Sequence, residues 1–121
     1  MPASKPDALH LLDAAIDYLE RELSPTLGGY HRFQTRVTIN VLAQVRRELA
    51  LSGPQSDAER ARLVALLGHP GDRDTLSREL AARIRAGDIP LDDPALLDHL
   101  RQSLVEALQI NNPKWLGASG E

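Results

Sequence analysis

Leucines, valines and isoleucines recur every three or four residues along almost the whole chain, and proline–glycine stretches cut that rhythm into short pieces. A 3.6-residue apolar period demands helices, and the breaks fix how many there are. Five segments result. The first opens near Ser4, with Pro6 and Asp7 in a capping-box arrangement, and carries Leu9, Leu12, Ile16, Leu19 and Leu23 inward. SPTLGG (24–29) stops it. The second runs from about Tyr30 to Leu51, with Phe33, Val37, Val41, Val45 and Leu49 as its apolar row, and SGPQ is expected to end it.

Ser56 and Glu59 form a second capping box ahead of a short third helix with Leu63, Leu66 and Leu67 inside. GHPGD (68–72) is a turn. The fourth helix, from about Asp74 to Ala86, presents Leu76, Leu80 and Ile84 and closes on Gly87 as a left-handed cap. Asp93–Pro94 opens the fifth, with Leu97, Leu100, Leu104 and Leu108 inward, and Asn111, Asn112 and Pro113 stop it. Residues 1–5 and 114–121 are expected to be loose.

The expected fold is therefore all-α: one domain over 1–121, a compact bundle of about five helices with mostly antiparallel neighbours. The third and fourth helices, with narrow apolar stripes, are expected to flank a core made by the first, second and fifth. Aromatics are 3% of the chain against 42% hydrophobic residues overall, so that core must be aliphatic, which favours helices over sheets.

Charge and composition exclude several functions. The net charge is −3, which gives no general attraction to nucleic acid or to anionic membranes. Arg73, Arg78, Arg83 and Arg85 spread around the fourth helix instead of lining one face, and the fifth helix carries Asp98 and Glu106 beside Arg101 alone. That is poor equipment for DNA. The chain has no cysteine, hence no disulfide framework and no thiolate. No stretch is apolar enough to span a bilayer, and MPASKPDALH lacks the apolar segment of a signal peptide, so the expected location is cytoplasmic.

Polar residues at apolar margins are the remaining candidates. Arg36, Asn40 and Arg47 line one edge of the second helix's apolar arc. One reading has Asn40 hydrogen-bonded within the core and Arg36 paired with an acid, the protein's own fifth helix or tail lying against the stripe. The other makes the stripe a recognition surface for an anion or a partner. Ile39 and Ala43 point away from the main arc, so this helix is apolar on more than one side. It is either surrounded within one chain or covered by a partner.

His10, Asp13 and Asp17 share one stripe of the first helix, but a solvated face accounts for them better than a metal. His99, Ser103 and Glu106 sit together on the fifth helix. Their rigid spacing offers neither an oxyanion hole nor an activated nucleophile, so His99 is expected to be packed or capping. No catalytic residue, metal ligand or cofactor is expected, and the sequence assigns no cofactor-binding residue.

Four ordered motifs carry a resemblance: F-x-x-R-V-x-x-N-V-L (33–42), I-R-A-G (84–87), D-D-P-A-L-L-x-H-L (92–100) and N-P-K-W (112–115). Together, from about Pro6 to Trp115, the chain resembles a family of small bacterial helical domains found beside or fused to aminoglycoside-phosphotransferase-like kinases. GHPGD and the stretch before it match least. The resemblance implies a non-catalytic accessory subunit for a kinase that phosphorylates a 4-hydroxyacyl-CoA, as in levulinate catabolism. The matched polar positions are Arg36, Asn40, Asp93, His99 and Asn112. The alternative is a stand-alone helical interaction module or homodimer.

Overall fold

The computed structural model describes residues 7–120, the side chains of 118–120 excepted. The chain is all-α, with no strand among the described residues. Helix α1 spans Ala8–Asp17, followed by a π-helical turn over Tyr18–Leu23 and a 3₁₀ turn over Ser24–Thr26. Helix α2 spans Gly29–Leu67, α3 Arg73–Ala86, α4 Pro94–Asn111 and α5 Lys114–Gly120. By contacts the chain forms two compact units, residues 1–52 and 53–121.

In the first unit, Asp7 caps α1 by accepting the His10 N–H at 2.9 Å, which supplies one of the donors left over at a helix start. The expected start at Ser4 lies outside the described residues. Leu9, Leu12, Ile16, Leu19 and Leu23 are all half-buried, as their spacing requires.

Helix α2 turns the other way round from its expected packing. Ile39 is buried, and Thr35, Leu42, Arg46 and Ala50 are half-buried on the same side. The row expected to make the core is exposed: Phe33 64%, Val37 40%, Val41 54%, Val45 42% and Leu49 52%. Ile39 and Val41 are separated by about 200° around the helix, so the two apolar sides are nearly opposite. Burial of one side leaves the other in solvent.

SGPQ does not end α2. The helix runs through Pro54 and absorbs the expected third helix. Proline removes the N–H that would bond the Ala50 carbonyl. The residue before it is Gly53, whose missing Cβ relieves the crowding that keeps most residues preceding proline out of helical conformation.

The core of the second unit is Leu63 and Leu67 from the end of α2, Leu76 and Leu80 from α3, and Leu96 from α4. Val64, Leu66, Ile84 and Ile89 pack around it. The helices expected to flank the core thus build it. Caps set the boundaries: the Asp72 carboxylate accepts the Thr75 N–H at 3.0 Å, and Asp93 accepts the Leu96 N–H at 3.0 Å. Gly87 closes α3 at φ +80°, a left-handed conformation that an L side chain resists. The Arg60 Nε–H donates to the Gly71 carbonyl at 2.8 Å and ties down the GHPGD turn.

Helix α4 runs antiparallel to the last part of α2, as its bonds require: Gln55 reaches Glu106 and Gln109, while Arg62 reaches His99. Leu97, Leu100 and Leu104, expected inward, are exposed; Leu96 and His99 are the buried pair. The tail expected to be loose forms α5.

Candidate functional site

Arg62 is the hub of the second unit. It sits beside fully buried Leu63 on the side of α2 that α4 covers. Its guanidinium holds Glu106 with two parallel bonds, Nη1 to Oε2 at 3.0 Å and Nη2 to Oε1 at 2.9 Å. Nη2 also reaches the Ser103 hydroxyl at 3.4 Å, and the Nε–H donates to His99 Nδ1 at 3.0 Å. Both ends of the ion pair are less than one-fifth exposed, so the bidentate geometry matters more than in a surface pair. The carboxylate of Glu106 in turn raises the Arg62 pKa.

This network fixes the state of His99. The imidazole is 5% exposed. Arginine only donates, so Nδ1 must be the acceptor and the neutral ring carries its proton on Nε2. Burial, and after it the nearby Arg62 charge, hold His99 below the ordinary histidine range. The triplet His99, Ser103 and Glu106, read in the sequence as adjacent on one helix, is gathered here on a single arginine.

Beside the hub lies a partly open cavity of about 180 Å³, lined by Arg62, Ala65, Leu66, Ala95, Asp98 and His99. Its floor is apolar, and the Asp98 carboxylate, which pairs with Arg101 at 3.1 Å, adds negative charge at its edge.

The other sequence candidates fall apart spatially and chemically. Arg36 makes a long 3.8 Å ion pair with Glu20 on the π-helical turn, not with the fifth helix or tail. Asn40 is exposed, which removes the expected buried hydrogen bond. Arg47 is half-buried. Asp93 is the α4 N-cap, and Asn112 ends the same helix, its N–H donating to the Leu108 carbonyl at 2.8 Å and its own carbonyl accepting the Trp115 N–H at 3.1 Å. His10, Asp13 and Asp17 pair separately with Asp7, Arg46 and Arg21. Among the described residues no group of three His, Cys, Asp or Glu is placed to hold a metal ion.

Sequence reasoning missed Arg62. Its partners stand 37, 41 and 44 positions away, and no local period connects them. The available signal was an arginine directly preceding a strong apolar run, RLVALL, together with a helix whose inward edge is His-Ser-Glu.

These features define an all-helical protein with one polar hub between two antiparallel helices and outward-facing apolar rows. The chain belongs to the DUF6285 family, a domain of unknown function whose model matches residues 25–115. No curated protein and no solved structure matches it. Among the described residues no helix is long and apolar enough to cross a membrane.

Proposed function

We propose that this protein is a non-catalytic interaction subunit that docks through the outward apolar row of α2. The row itself carries the reading. Phe33, Val37, Val41, Val45 and Leu49 stand one turn apart along about 24 Å of helix, each at least 40% exposed. A continuous row of large apolar side chains costs solubility and is the form of a helical docking ridge.

The partner follows from the family resemblance: a phosphotransferase-like kinase acting on a hydroxyacyl-CoA, with this chain as its accessory subunit. The subunit itself contributes a surface, not reacting groups. Co-purification with such a kinase, lost in Val41→Glu, tests the reading; a kinase that ignores both proteins contradicts it.

A second copy of the chain is the competing occupant. Helix α4 exposes an apolar row of its own, Leu97, Leu100 and Leu104. Pairing of such apolar rows between two copies would close a symmetric dimer. Light scattering on the purified protein separates the two: a stable homodimer with its α2 row covered leaves no surface for a kinase.

A further inference from the structure

The hub of the second unit ends in an unused donor. Nδ1 of His99 is committed to Arg62 at 3.0 Å, so the ring proton sits on Nε2. No described group bonds Nε2, yet among the described residues no buried side-chain nitrogen or oxygen is left without a partner. Nε2 is therefore not sealed off from solvent, and His99 is one of the residues lining a space of about 180 Å³ together with Ala65, Leu66 and Ala95.

We infer that this cavity is a binding site for a small neutral aliphatic carbonyl group, a carboxamide or ketone, which accepts from the Nε2–H of His99. Four observations select that chemistry. The size suits about six heavy atoms, since a 150 Å³ apolar cavity takes up benzene. The alanine and leucine floor requires an aliphatic body. Anions are disfavoured because the Arg62 charge is already spent on Glu106 through two bonds while Asp98 faces the same space. Cations and metals are disfavoured because Nδ1 is committed to Arg62 and Nε2 carries the ring proton, so the imidazole offers no lone pair to a metal. A neutral acceptor remains. This site is separate from the α2 row and does not depend on the docking reading.

The test is an NMR titration of the full chain, labelled with ¹⁵N in its histidines, using isobutyramide as the probe and isobutyrate as its anionic isostere. The inference predicts a saturable shift of the His99 Nε2 resonance with isobutyramide at millimolar concentration, and binding of isobutyrate at least about tenfold weaker. Ala95→Leu fills the cavity from an exposed position in the first turn of α4 and is predicted to abolish the isobutyramide shift while its circular dichroism spectrum stays that of the wild type and His99 keeps its Nε2-protonated tautomer. No saturable shift in the wild type, equal binding of the two probes, or undiminished binding to a folded Ala95→Leu protein would overturn it.

Discussion

The Nε–H of Arg62 donates to Nδ1 of His99 across 3.0 Å, and the same guanidinium clamps Glu106 from both of its terminal nitrogens. One side chain on α2 therefore holds three on α4. Arg62→Met keeps the length and apolar stem but strands a carboxylate that is less than one-fifth exposed. Loss of such a partner costs about 2 kcal/mol. Urea denaturation at neutral pH should show that loss, and Arg62→Met combined with Glu106→Leu should recover part of it because the stranded charge is gone.

The two networks of the second unit titrate in opposite directions. Burial and Arg62 lower the His99 pKa, so the unfolded chain takes up its proton first as pH falls. The stability that neutral His99 contributes is complete above the unfolded value of about 6.5 and is lost as pH drops from there through the lowered folded value. In His99→Gln, whose amide oxygen still accepts from Arg62, that acid-side loss should disappear. His69 behaves inversely: the Glu79 carboxylate at 2.8 Å, followed by the Pro70 carbonyl, raises its pKa. Its contribution is present below about 6.5 and is lost as pH rises through the raised folded value. Denaturation of wild type, His99→Gln and His69→Gln from about pH 5 to 8 checks both signs.

Gly87 holds φ +80° where α3 ends, and its N–H reaches the Ile84 carbonyl at 3.1 Å. An alanine there has open space for its Cβ, so any cost is conformational and not steric crowding by neighbours. Gly87→Ala should lose about 1–2 kcal/mol and lower the Tm by several degrees. The same substitution at Gly28, just before α2 and also without a contact for the Cβ, has no positive φ to oppose it. Comparing the two by calorimetry isolates the left-handed cap.

How much of this was visible in the sequence depends on the range of the signal. Asp93–Pro94 and Gly87 state their caps within four residues, and both were legible. So was the Leu76–Leu80–Ile84 row, whose period is local. The row Phe33–Leu49 was legible as apolar but not as outward, because helical period defines an arc and not what covers it. Ile39, one residue on the opposite side, decided the packing instead. Pro54 looked like an end because its own chemistry breaks helices, and Gly53 beside it is what lets α2 continue. Arg62 was invisible because its partners come from a helix more than thirty residues later. His99 could be placed in the interior, but the atom it leaves open could be found only from the direction of its bond to Arg62.

Val41 stands in the middle of the outward row and is 54% exposed, so Val41→Glu should change stability by no more than about 0.5 kcal/mol. Its effect should fall on association alone. Equal melting curves for wild type and variant, together with loss of any complex, distinguish a docking residue from a core residue.

The most direct test of the docking account is affinity capture of the tagged protein from its native lysate, run in parallel with Val41→Glu and read by mass spectrometry. The account predicts a phosphotransferase-like kinase in near-stoichiometric amount with the wild type and none with the variant. Recovery of the bait alone, as a homodimer, or of the kinase equally with both proteins, would contradict it.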